Sequence, residues 1–287
     1  MQGLQLEGFL ANCAGTPTGA GQRLVCQRRV VCHSLDRRFC ATFIMLMGLL
    51  GTLTAQAQSS CSSDTTKSPR VILERFINAD CTSCWADPAT PKVATSPKSS
   101  GSLSGSLALD WIVPGAKGED APLSAAASRD ALQRLEALRL PVPAASSSHQ
   151  SLVARSAPRG LSLRVARGVA LGGYMGASIE LNLRGKPPAG QRQIAYPLTA
   201  WLLLAEALPA GAEGSPVPRL LIRNALQVSW KERNQLSNSE QPDSASKFRE
   251  SRPMSLPEGS NPDQLRAIGW VQDAAGRVIA SAASVCH

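Results

Sequence analysis

The sequence predicts an α+β chain: strands around one clear helix, followed by an antiparallel β-sandwich-like part. Three observations predict it. Two apolar, β-branched runs, Arg70–Ile77 and Leu107–Val113, read as buried strands. Ser124–Leu140 has helical spacing, with Ala131, Leu132, Leu135 and Leu138 on one face and Ser124 or Ser128 available as the cap. After Pro158 the apolar period changes to two, and several strands joined by turns indicate a sandwich or small barrel.

The first 57 residues are set apart from that fold. Phe39–Leu53 is an apolar run preceded by Arg37-Arg38 and followed by Ala55-Gln56-Ala57, the pattern of a cleaved export signal with Gln58 as the new N-terminus. The run is short of the roughly 20 residues of a membrane span. Residues 1–36 form a long polar prefix to that signal and read as an upstream start; 37–57 is the signal peptide and 58–68 a Ser/Thr-rich leader. No membrane span is expected in the mature chain.

Removing this segment takes away five Arg and two acids. Of 30 basic and 21 acidic side chains, 25 and 19 remain, a net charge of +6 against +9 for the whole chain. The basic residues are scattered and aromatics are scarce, so no nucleic-acid partner is expected. His33, His149 and His287 are far apart in sequence, which argues against a histidine metal cluster. No metal or cofactor is expected. Cys61, Cys81, Cys84 and Cys286 remain, an even number in an exported chain. Their spacing favours Cys81–Cys84 as a local pair and Cys61–Cys286 joining the two ends.

Along the chain, Pro88, Pro91 and Pro97 allow at most one helical turn after the first strand, then a loop to residue 106. Pro141 and Pro143 end the helix, where Asp130 and Arg134 are spaced as an i,i+4 pair. The Ala/Ser/Pro segment to Pro158 reads as a linker, with His149 solvated. Leu161–Val165 and Ile179–Leu183 alternate, and Gly172-Gly173 reads as a turn. Ile194–Leu208 is long and apolar. Leu220, Ile222, Leu226, Val228 and Trp230 share a parity, interrupted by Asn224. Residues 231–264 read as a long loop. Leu265–Gln272 and Arg277–Ala283 flank Asp273-Ala274-Ala275-Gly276 as a hairpin.

One motif carries chemistry. A strand running straight into Cys81-Thr82-Ser83-Cys84 sets the first Cys at the start of a helix, where unpaired N–H groups and the helix dipole favour its thiolate. Cys81 would be the nucleophile and Cys84 the resolving thiol. The competing reading is a static local disulfide. Asp110 is read as a turn or cap residue ahead of a proton acceptor, and the five Trp as core.

These residues carry a resemblance. The strand Val71–Ile77, Cys81-x-x-Cys84-x-Ala86-Asp87, the strand Leu107–Val113 with Asp110-Trp111, and Asp120-Ala121-Pro122-x-Ser124 opening a helix resemble a family of secreted bacterial thioredoxin-like proteins of unknown function. The tail Ile268–Ala280 is similar to the last hairpin of that family. The resemblance implies a degenerate thioredoxin-like domain over 69–160 and a β-sandwich-like domain over 161–287; active members carry a cis-proline before a strand, for which Pro158 is the one candidate and its context Ala157-Pro158-Arg159-Gly160 a poor match.

The function expected from the sequence is that of a periplasmic or secreted thiol–disulfide oxidoreductase acting on protein thiols of other envelope proteins through Cys81 and Cys84. The alternative is a non-catalytic periplasmic binding or accessory protein with structural disulfides.

Overall fold

Alternating apolar residues commit most of this chain to strands. The computed structural model describes residues 61–88, 105–154, 160–183, 194–231 and 246–286, all in one compact unit spanning 58–287. Its strands are β1 Cys61–Ser62, β2 Val71–Asn78, β3 Ser106–Val113, β4 Ser146–Leu152, β5 Leu161–Leu171, β6 Tyr174–Leu183, β7 Leu198–Leu208, β8 Arg219–Trp230, β9 Ser246–Ser255, β10 Leu265–Gln272, β11 Val278–Ala283 and β12 Val285–Cys286. The α-helices among the described residues are a single turn, α1 Thr82–Trp85, and α2 Arg129–Leu138.

The expected α+β class with a thioredoxin-like N-terminal domain is therefore overturned: the fold is β-rich. Residues 69–160 do not close a sheet of their own. Their three strands join later ones in a seven-stranded sheet of order β11-β10-β7-β8-β3-β2-β4, where β2, β3 and β8 run parallel. The physical reason lies in β8, whose Leu221 pairs with Asp110 and continues the sheet past β3. A second sheet has the order β12-β1-β5-β6-β9.

One face of the seven-stranded sheet gathers Ile72, Phe76, Leu109, Trp111, Trp201, Ile222 and Trp270 around Ala131 and Leu135 of α2. The sheet curls far enough that Ala154, just beyond β4 at one edge, donates its N–H to Val278 of β11 at the other, at 2.8 Å. Ser128 caps α2 by accepting the Ala131 N–H, and Arg139 ends it in the left-handed conformation. Arg134 does not pair with Asp130. It turns inward and grips Glu74 of β2 through two hydrogen bonds, 2.7 and 2.6 Å, with both residues sealed from solvent. Its guanidinium also lies 4.8 and 4.9 Å from the ring centres of Trp201 and Trp270. Asp130 instead accepts the backbone N–H of Ala225.

On the opposite face, β7, β8 and β10 pack against the second sheet through Leu198, Leu202, Trp230 and Ala267, with Val165, Ile179 and Phe248 across from them. Trp230 stacks on Phe248 at 5.4 Å. The sheets approach most closely at Gly269, where a Cβ would lie 2.8–2.9 Å from Ile179, Val165 and the Trp201 carbonyl. A bulge lets β8 serve both cores. Leu204 pairs with Asn224 but Ala205 with Ile222, so Arg223 is an extra residue. Leu220 and Ile222 thus face α2, while Leu226, Val228 and Trp230 of the same parity face the second sheet.

Two regions expected to be irregular contain strands. The supposed linker holds β4, a polar edge strand paired to β2, and the supposed loop 231–264 holds β9, paired to β6. The β10–β11 hairpin and the Gly172-Gly173 turn, both glycines at positive φ, form as the sequence indicated. Cys61 and Cys286 are cross-strand partners of β1 and β12 and form a disulfide. Residues 1–57, the proline-bearing stretch 89–104 and Pro158 lie outside the described residues.

Two stability measurements follow. Replacing Gly269 by Ala should cost about 1–3 kcal/mol in denaturant unfolding, because backbone and branched side chains must give way. Arg134→Met should cost about 3–5 kcal/mol by stranding the Glu74 carboxylate, and adding Glu74→Leu should recover part of that loss.

Candidate functional site

The chain leaving β2 is tied down before it reaches the cysteines. Asn78 donates its side-chain amide to the Pro143 carbonyl and accepts the Asp80 N–H. Asp80 in turn accepts the Ala116 N–H at 2.8 Å. Gly115 passes so close that a Cβ there would sit 2.5 Å from the Asp80 carboxylate. The Cys81 N–H donates to the Asn78 carbonyl, which aims the next turn.

That turn is α1, with Cys81 as its cap. The Cys84 N–H donates to the Cys81 Sγ at 3.3 Å, and Sγ of Cys81 bonds to Sγ of Cys84. Both cysteines are half-buried. Cys84 leans on an apolar cluster that includes Ile77, Ala79, Ile112 and Leu221, and Cys81 stands outside it. With only one helical turn, the summed backbone dipole expected from sequence is small. The Cys84 N–H, with the Ser83 hydroxyl 3.6 Å away, is what faces the Cys81 sulfur.

Trp85, buried, anchors the turn from behind. Its indole N–H donates to the Glu213 carbonyl at 2.7 Å. The Arg219 guanidinium lies 4.5 Å from its ring centre and donates to the carbonyls of Trp85 and Asp87 and to the Ser215 hydroxyl. Arg219 Nη1 is 3.6 Å from Asp110 Oδ2, while Arg75 Nε donates to Asp110 Oδ1 at 2.7 Å. Arg223, the bulged residue of β8, bridges Glu206 and Glu213 beside this cluster.

Asp110 is therefore neither a cap nor a turn residue. It sits in mid-strand as the buried counter-ion of two arginines. Burial pushes its carboxyl up to about 6, against the opposing pull of Arg75.

Of the residues expected at the site, Cys81 and Cys84 are together and disulfide-bonded. His149 lies half-buried on β4, with its Nε2 3.3 Å from the Ser151 hydroxyl. Sequence reasoning missed Arg219, Arg223, Glu206, Glu213 and Ser215. Their signal was available: charged residues within or beside the apolar strands Leu198–Leu208 and Arg219–Trp230 need partners. Among the described residues no group of three His, Cys, Asp or Glu is placed to hold a metal ion, and no helix is long and apolar enough to cross a membrane.

No family model matches this chain, and no curated protein matches it closely. Among solved structures, HBP35 of Porphyromonas gingivalis is similar with a TM-score of 0.40 at 11% identity, over 77% of this chain and 75% of that one. MtrC from Shewanella baltica OS185 is similar with a TM-score of 0.23 at 11% identity, over 44% of this chain and 21% of that one. Likenesses this slight define neither a fold family nor an activity.

Asp110 makes stability depend on pH in a stated direction. Its folded carboxyl is raised above the 3.8 of the free side chain to about 6, so between these values the folded state holds more protons than the unfolded. The wild type should therefore gain stability relative to Asp110→Asn as pH falls from about 7 to 4. Paired denaturation curves at several pH values measure this; a flat difference contradicts it.

Proposed function

We propose that this chain catalyses thiol–disulfide exchange at Cys81 and Cys84. The observation that carries the reading is the paired environment of the two sulfurs. Cys81, outside the apolar cluster, receives the Cys84 N–H on its Sγ, whereas Cys84 packs against that cluster. A donor aimed at one sulfur stabilises it as a thiolate, and packing keeps the other back as the resolving group.

The exchange proceeds in two balanced steps. A substrate thiolate attacks Cys81 Sγ; the Sγ–Sγ bond breaks and Cys84 leaves as a thiolate, which takes up a proton. A second substrate thiolate then attacks the substrate sulfur of the mixed disulfide. Cys81 leaves as a thiolate facing the Cys84 N–H, the substrate is oxidised to a disulfide, and the protein is left as a dithiol. The reverse order reduces a substrate disulfide.

Protein thiols in the bacterial envelope are the substrates this reading implies. The two disulfides among the described residues, and the reading of residues 37–57 as an export signal, support an oxidising compartment.

Equilibration in glutathione buffers, with thiol trapping and mass mapping, tests the reading. The Cys81–Cys84 pair should titrate between about −270 and −120 mV. Cys81→Ser should abolish exchange with a dithiol peptide while leaving unfolding free energy nearly unchanged. A pair below about −300 mV, or a loss of about 2–4 kcal/mol in the variant, would make the bridge structural.

A further inference from the structure

We propose that Arg219 is the positioning residue of the Cys81–Cys84 pair and sets its reduction potential from the buried side of the sheet. The inference rests on the exchange reading above and concerns the regulation of that same site.

An α-helix leaves its last carbonyls without helical partners. In α1 that end is gripped by Arg219, which donates to the carbonyls of Trp85 and Asp87 and covers the Trp85 ring at 4.5 Å. Trp85 follows Cys84 directly, so the clamp acts on the segment that aims the Cys84 N–H at Cys81. Arg219 is itself held through Nε and Nη2, while its buried Nη1 faces the Asp110 carboxylate at 3.6 Å without a hydrogen bond. Its Nε donates to Ser215, whose hydroxyl donates to the Val217 carbonyl at 2.8 Å, and Asp110 faces its Nη1. Arg75 fixes Asp110 from β2, the strand that leads into the cysteines.

The two redox states depend on this clamp unequally. With the disulfide formed, a covalent bond holds the ends of the turn together. After reduction that bond is gone, and a thiolate on Cys81 relies on the Cys84 N–H staying aimed at it. The clamp on Trp85 then does what the disulfide did. Arg219 thus stabilises the dithiol more than the disulfide. An apolar side chain could cover Trp85 but could neither donate to the carbonyls at the end of α1 nor face Asp110, so the guanidinium links the cysteine turn to the buried charges.

The test measures the exchange constant with glutathione for both disulfides of the purified protein in wild type, Arg219→Met and Arg219→Lys. Arg219→Met should move the Cys81–Cys84 equilibrium at least tenfold towards the disulfide, about 30 mV. The Cys61–Cys286 equilibrium should stay unmoved, and Arg219→Lys, which keeps the charge but not the fork, should fall between. Alkylation rates against pH should show a higher Cys81 thiol pKa in the same order. A wild-type constant in folded Arg219→Met, or equal shifts of both disulfides, overturns the proposal. If Arg219→Met does not fold, a wild-type constant in Arg219→Lys overturns it. A wild-type pair outside the range of exchange proteins defeats the exchange reading itself, whereas a pair inside that range that ignores Arg219 defeats only the positioning role.

Discussion

A carboxylate and a guanidinium sealed away from water hold this molecule's larger sheet to its helix. Glu74 points from β2 and Arg134 from α2, and two Trp rings from β7 and β10 lie against the guanidinium. Four elements distant in sequence therefore meet at one group. The pair tolerates burial because both carboxylate oxygens are satisfied and the cation lies over aromatic faces. Placing Glu74 there also fixes which face of β2 points to the helix. Arg75 and Ile77 then face the other side, where the cysteine turn is built.

The opposite face repeats the same physics with different residues. Asp110 between Arg75 and Arg219, and Arg223 between Glu206 and Glu213, put charges inside strands that are otherwise apolar. Each buried charge, Arg75, Asp110, Glu206, Arg219 and Arg223, has a partner of opposite sign, as desolvation requires, and Glu213 meets Arg223 from the exposed loop between β7 and β8. Together they form the floor under Trp85. The bulge at Arg223 allows this arrangement, since it turns one charged residue towards the floor and lets the rest of β8 enter the sandwich core.

Much of the local structure was legible because its causes are local. Asp273 to Gly276 carries its own turn chemistry, Ser128 its own cap, and Gly172-Gly173 its own positive φ. The Cys81–Cys84 pairing was legible from spacing, whereas Cys61–Cys286 was a guess, because no local signal shows that β1 and β12 meet. β4 was not, because Ser146–Leu152 has no apolar alternation: it is an edge strand, exposed at alternate residues and held to β2 by backbone pairing. β9 was hidden by charge and by Pro253, both tolerated at a sheet edge. The thioredoxin-like expectation failed at the same level. Its strands and CxxC turn exist, but the strand beside β3 comes from more than a hundred residues later.

By itself, then, the sequence determined the apolar strands, the turns, the body of the helix and the cysteine turn, because these depend on side-chain period, backbone freedom and neighbours a few residues away. Tertiary structure alone decided which strands share a sheet and which charges meet. A single parity along β8 could not reveal a bulge, and an Arg134 four residues from Asp130 could not reveal that its partner was Glu74, 60 residues away. Burial makes those choices: once both sheets exclude water, a charge must take the partner that the fold brings within reach.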